Sequence, residues 1–199
     1  MRVLTHLLLW RLGLAEAETQ TTVGERECLA RHAKGKKRIV EVGVWHGVTT
    51  CLLREAMASD GVLFGVDPFP LGRFGFNAQS IIAHAKVSKV LNGSVRWIRS
   101  TGADAARYYA STEKERVDFV FIDGDHSYEG LRGDWELWRE LVAHGGIIAL
   151  HDSRSSTARN IDDAGSVIYT SDVILLDKRF KQIEAVDTLT VLSRLGDSH

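Results

Sequence analysis

Five times along the chain a short apolar run ends at a glycine or a polar residue and gives way to a helical pattern. This alternation constrains the fold more than any other feature. The runs span residues 38–42, 62–66, 94–99, 117–122 and 146–150. Between them, Val48, Cys51, Leu52 and Ala56 form a helical stripe, and residues 79–91 and 102–110 read as further helices. Leu131, Trp135, Trp138, Leu141 and Val142 make a strongly amphipathic helix. Repeated strand-then-helix units predict a parallel sheet covered on both faces, with right-handed crossovers. The tail differs, because residues 180–186 and 188–195 lie too close for a helical crossover. They predict an antiparallel pair at the sheet edge, preceded by a helix over 165–176.

The chain has 199 residues, 25 Lys and Arg against 26 Asp and Glu, and a net charge of -1. Its 44% hydrophobic content suits one globular domain over 1–199, with residues 1–20 as an N-terminal helical arm. Near-neutral charge argues against bulk binding to nucleic acid or a membrane surface. No apolar run is long enough to span a bilayer. His6 and Arg11 interrupt the apolar start, so it does not read as a signal peptide. Two cysteines, Cys28 and Cys51, cannot build a disulfide framework and read as reduced thiols of a cytoplasmic protein. The arm is expected to pack on its own domain, the alternative being a partner-facing role in a homo-oligomer.

In an open parallel sheet, ligands bind outside the carboxyl ends of the strands. Gly43 to Gly47, Asp67, Ser100 to Asp104, Asp123 to His126, and His151-Asp152 all fall at such ends. Glycines after a strand permit a tight turn and close ligand approach at a helix N-terminus. A carboxylate about 20 residues beyond such a loop suits a ribose diol. Asp67 answers that description. The loop reads G-x-x-x-G with Trp45 and His46 inside it. It lacks the middle glycine that a pyrophosphate prefers, which favours a nucleoside without a diphosphate.

Four segments carry a resemblance: Glu41-Val42-Gly43 with Gly47, Gly65-Val66-Asp67-Pro68, the run from Phe121 through Asp123-Gly124-Asp125-His126 to Glu129, and Gly145-Gly146 leading to His151-Asp152. Over residues 20–195 the chain resembles the class I S-adenosylmethionine-dependent methyltransferases, in the small-molecule O-methyltransferase branch that includes macrocin-type and cephalosporin-hydroxylase-like proteins. The resemblance implies a Rossmann-like α/β fold, a seven-stranded, mostly parallel sheet with helices on both faces and an antiparallel C-terminal hairpin. It implies that Glu41, Gly43 and Gly47 shape the methionine pocket and Asp67 holds the ribose. Ser100, Gly102 and Ala103 would lie near the adenine, with Asp104 a weaker candidate, and Asp123 beside the sulfonium.

Methyl transfer to a hydroxyl needs alignment and a way to remove the proton, by a base or a cation. The fourth and fifth strands are expected as neighbours about 4.8 Å apart. Asp123, His151 and Asp152 are therefore the candidate ligands for Mg²⁺ or another divalent cation. His126 is the candidate general base, its unperturbed pKa lying near 6.5; the alternative is a structural loop histidine. Asp125 is expected to fix the turn, Asp134 and Glu136 to form a solvated helix face, and Trp135 and Trp138 to pack in the core. His46 is expected to cap a helix or lie at the surface. Residues 69–77 read as an ordinary surface loop, the alternative being a lid in which Arg73 would meet an anionic substrate. The basic run at 34–38 reads as solvated.

The expected acceptor is a sugar or other small-molecule hydroxyl. Amino-group methyltransferases of nucleic-acid bases carry a Pro-Pro-aromatic motif after the fourth strand, where this chain has Gly124-Asp125-His126. A metal-dependent hydrolase using the 123–126 and 151–152 segments is the main alternative. A nicotinamide-linked oxidoreductase and a non-catalytic cofactor-binding protein are the others.

Overall fold

In the computed structural model, residues 2–72 and 75–196 are described. Seven strands form one sheet in the order β3-β2-β1-β4-β5-β7-β6. They are β1 (Arg38–Val42), β2 (Val62–Val66), β3 (Ser94–Ile98), β4 (Val117–Ile122), β5 (Val142–Leu150), β6 (Phe180–Val186) and β7 (Leu189–Arg194). The first five pair in parallel, while β7 runs antiparallel to both β5 and β6. The expected sheet and C-terminal hairpin are therefore both present. β5 begins four residues earlier than expected, with a register shift against β4 between Val117 and Phe119.

Seven helices cover the sheet: α1 (Arg2–Arg11), α2 (Val23–Ala33), α3 (Val48–Ala56), α4 (Ala78–Val87), α5 (Gly102–Thr112), α6 (Tyr128–Leu141) and α7 (Gly165–Asp172). A 3-10 turn over Ile174–Leu176 follows α7, so the 165–176 segment is helical as expected. The central strands alternate their side chains between two cores. Val40, Val42, Val120, Ile122, Ile148 and Leu150 face one. Ile39, Leu63, Phe119, Phe121, Ile147 and Ala149 face the other. Trp135 and Trp138 are fully buried in the first core, and Trp138 Nε1 donates to the carbonyl of Gly102. This indole ties α6 to the start of α5.

The sequence reading passed over α2. It starts at a reciprocal capping box in which Thr22 Oγ1 accepts from Glu25 N–H and the Glu25 carboxylate accepts from Thr22 N–H. The Thr-x-x-Glu signature of such a box is visible in the sequence. The N-terminal arm packs in cis. α1 lies against α4, and Glu18 N–H donates to His46 Nδ1 at 3.0 Å. No described helix is long and apolar enough to cross a membrane.

Candidate active site

The carboxyl ends of β1 to β4 open into a cleft of about 710 Å³. That lies within the usual range of about 300–1,000 Å³ for small-molecule sites. The structure brings Gly43, Asp67, Ser100, Gly102, Ala103, Asp123 and His126 to its walls. Gly43 has φ +92, and a Cβ there would stand 2.0 Å from the Asp123 carbonyl oxygen. The β1 and β4 loops thus touch backbone to backbone, and no side chain fits between them.

Asp67 occupies the end of β2 and clamps the glycine loop. Its Oδ2 accepts from the N–H groups of Val44 and Trp45, each at 3.1 Å, and its Oδ1 from Phe69 N–H at 2.7 Å. A carboxylate offers about four acceptor positions, so roughly one remains for a ligand.

Several expected site residues lie elsewhere. Glu41 is off the cleft wall, fully buried in β1 between Gly65 and Phe121 of the neighbouring strands. Neither of its carboxyl oxygens has a hydrogen-bond partner. Burial, reinforced by Asp123 and Asp67 and opposed by Thr50, holds its pKa well above the usual carboxylate range. Gly47 adopts a left-handed conformation at the start of α3 and packs against Val87 and Ala83 of α4, away from the cleft. Asp104 points outward, where it accepts from Thr101 Oγ1 and pairs with Arg107. His46 is buried, stacked between His6 and Trp45, and holds the arm through Glu18 N–H; it is neither a surface residue nor a cap. Arg73, the substrate contact in the alternative lid reading of the 69–77 segment, lies outside the described residues.

Asp134 is the reverse case. It is not on a solvated face but 5% exposed, and it lines the cleft. Glu136, two residues further on, is solvated as expected. Asp125 fixes the turn, accepting from Ser127 N–H, and also faces the cleft.

The expected cation ligands converge only in part. Asp123 and His151 do meet, with Nδ1 2.8 Å from Asp123 Oδ1. On its other side, however, His151 Nε2 lies 3.4 Å from Glu25 Oε2, and the ring is 1% exposed. Burial alone would lower the histidine pKa, but Asp123, Glu25 and Asp152 outweigh it and lift the pKa to about 10. His151 is thus held between two acids, which favour its charged form. The Asp152 carboxylate pairs with Arg159 Nη1 at 2.7 Å and is only 3.8 Å from His151 Nδ1. Asp123, His126 and His151 offer ligand atoms within 4.8 Å of one another. One carboxylate with two imidazoles is a poor donor set for a hard cation such as Mg²⁺.

Glu25 completes this chain of charges. It is fully buried and accepts from Thr22 N–H, Thr188 N–H and Thr188 Oγ1. Burial alone would raise its pKa, yet His151 and these hydrogen bonds bring it down to about 2. The sequence of charges Glu25, His151, Asp123 and His126 runs from the interior to the cleft. His126 Nε2 lies 3.5 Å from Asp123 Oδ1, and its side chain is about one-third exposed.

The cleft is also marked by charge. Glu18, Asp67, Asp123, Asp125, Glu129 and Asp134 line it, and no Lys or Arg does so among the described residues. Such a lining suits a ligand that carries positive charge, as S-adenosylmethionine does.

Residues 40–153 match the family model described as a methyltransferase domain. The chain is 29% identical over 186 residues to a protein of Mycobacterium tuberculosis described as a probable O-methyltransferase, covering 88% of this chain and 72% of that one. Among solved structures, an O-methyltransferase of Bacillus cereus in complex with S-adenosylhomocysteine superposes with a TM-score of 0.67 at 17% identity, over 98% of this chain and 91% of that one. TomG of Streptomyces achromogenes, an O-methyltransferase of tomaymycin synthesis in complex with S-adenosylmethionine, gives 0.62 at 18% identity over 98% and 91%. The matched family segment runs from β1 to the end of β5 and holds the cleft's central residues, so the chain belongs to the methyltransferase-domain family and is a class I S-adenosylmethionine-dependent methyltransferase.

Proposed function

We propose that the enzyme methylates a hydroxyl oxygen of a small molecule that carries no net negative charge, by a metal-independent route. The observation that carries this reading is the pairing of His126 with Asp123 at the cleft, with the imidazolium of His151 behind them. The O-methyltransferase names of the relative and structural neighbours support oxygen as the acceptor atom. The acidic lining disfavours phosphorylated or nucleotide-linked acceptors, which would meet like charge.

When bound, S-adenosylmethionine supplies a methyl group already activated by its sulfonium. Gly43, Asp67 and the start of α5 form the walls that would hold it. His126 takes the proton from the acceptor hydroxyl as oxygen becomes the nucleophile. Asp123 orients the His126 ring and stabilises the imidazolium that results, the role of the acid in a catalytic triad. His151, held by Glu25, keeps Asp123 ionised and in place. A homo-oligomer and a cytoplasmic location remain part of the proposal; nucleic acid and membrane do not.

Calorimetric titration with S-adenosylhomocysteine is expected to give micromolar affinity, unchanged by Mg²⁺. An acceptor screen with radiolabelled cofactor then compares neutral sugars and phenols with their phosphorylated forms. Preference for the phosphorylated forms, or a rate raised more than tenfold by Mg²⁺, would contradict the reading. Asp67→Ala is expected to weaken S-adenosylhomocysteine binding more than tenfold, because it removes the ribose acceptor and releases the Val44 and Trp45 amides together. Unchanged affinity in a folded variant would remove Asp67 from the cofactor site.

A further inference from the structure

Away from the cleft, α2 and β6 bring a thiol, an imidazole and a carboxylate together. Cys28 and His32 stand one turn apart on α2, a spacing that puts both on one side of the helix. Glu184 meets them from β6. Each residue offers one ligand atom, and the three atoms lie within 4.8 Å of one another. None of the three residues lines the cleft. The thiol is fully buried, whereas the His32 and Glu184 side chains are 20% and 31% exposed, so the group opens to solvent on one side.

A bulge delivers Glu184. Phe180 packs in the first core and Val186 against the second, on opposite faces of the sheet. Both positions are even, so strict alternation would put them on the same face. The register with β7 shifts between Gln182 and Glu184, which adds one residue to β6. An extra residue turns the later side chains to the other face. Glu184 therefore points with Val186 towards α2, not with Phe180 towards α6. Its Oε1 pairs with Arg31 Nη2, and its Oε2 lies 2.8 Å from His32 Nε2. The Cys28 thiol donates to the same carboxylate.

We propose that Cys28, His32 and Glu184 form a zinc site with three protein ligands and a fourth position open to water. Thiolate and imidazole select zinc over Mg²⁺ or Ca²⁺. Bonds of about 2.0–2.3 Å put the ligand atoms of a tetrahedral zinc roughly 3.3–3.8 Å apart, which small side-chain rotations reach from the present spacing. Zn²⁺ takes the place of the thiol proton, which leaves to solvent. Arg31 orients the Glu184 carboxylate from outside, as partners of metal ligands do. The metal ties α2 to the β6–β7 hairpin on the side of α2 that carries Glu25, which is bound to Thr188 and holds His151. It lies off the cleft, so the transfer itself stays metal-independent.

Zinc and cobalt titrations of the full chain test this, after chelator treatment and with the thiols kept reduced. Zn²⁺ at a hundredfold excess over its Kd is expected to raise the melting temperature by about 5–10 °C. Co²⁺, which takes the same ligands, is expected to give a near-ultraviolet thiolate-to-cobalt charge-transfer band. Cys28 and Cys51 are the chain's two thiols, so the band identifies its ligand. It is expected to survive in Cys51→Ser and to vanish in Cys28→Ser. His32→Ala and Glu184→Gln are each expected to weaken zinc more than tenfold. No band in the wild-type protein, a band that persists in Cys28→Ser, or zinc affinity unchanged in both His32→Ala and Glu184→Gln would each overturn the proposal. Should Cys28→Ser not fold, the wild-type band and the variants at the two partly exposed ligands still decide it.

Discussion

Replacing His151 by alanine is expected to lower the melting temperature by about 10 °C and to remove an alkaline loss of stability that the wild-type protein shows. The ring is 1% exposed and stands between Asp123 and Glu25. Removing one member of a buried ion pair strands the others without compensation, at about 3–5 kcal/mol. For a chain of this size each kcal/mol is worth roughly 2–4 °C. The pH dependence follows from the shifts. His151 is raised from 6.5 to about 10, so its contribution is complete below pH 6.5 and fades as pH rises through 10. Glu25 is lowered from 4.5 to about 2, so its contribution is complete above pH 4.5 and fades as pH falls towards 2. These two groups therefore predict greatest stability between pH 4.5 and 6.5. Thermal unfolding at pH 6 and pH 9 checks this, with wild type losing more than His151→Ala between them. Equal losses in the two proteins would show that His151 is not charged in the native state.

The sheet was legible because its central strands are buried on both faces and read as mainly apolar runs, such as Val117–Ile122, where only Asp118 is polar. The short spacing between β6 and β7 likewise left room only for a hairpin. Sites at strand ends followed from topology, which explains why Gly43, Asp67, Asp123 and His126 reach the cleft. What sequence hid was contact between distant elements. Glu25 and His151 are 126 positions apart, and nothing local in α2 reveals that its first turn faces the end of β5. Asp134, as a charged residue of an amphipathic helix, is expected on the solvated face. On the helix, however, it lies between the buried Leu131 and Trp138, on the face turned inward. The expected cation ligands meet only in part for a related reason. Asp152, although 3.8 Å from His151 Nδ1, adopts φ 47 and commits its carboxylate to Arg159. The neighbouring ends of β4 and β5 suggest a shared set of ligands, and they do bring Asp123 to His151, while Asp152 is held by the Arg159 guanidinium.

Asp123→Asn separates charge from shape at the centre of the cleft. The substitution keeps size and one acceptor oxygen but removes the negative charge. Transfer to a hydroxyl acceptor is expected to fall by about 10²–10⁴, the usual contribution of a general acid–base group, because His126 loses the acid that orients it. Binding gives a second readout that needs no acceptor. A pair of unit charges about 4 Å apart interacts by about 4 kcal/mol at an effective dielectric of 20. The neighbouring His151 cation cancels much of that. A remainder of about 1.4 kcal/mol would weaken cationic S-adenosylmethionine tenfold while leaving neutral S-adenosylhomocysteine within about threefold. Calorimetry on both ligands measures the split. Equal weakening of the two would mean that Asp123 shapes the cleft without facing the sulfonium. Equal binding with undiminished transfer would take Asp123 out of the active site. The expected pattern, loss of cation preference together with loss of turnover, requires the carboxylate to lie beside the reacting methyl and to hold His126 in position there.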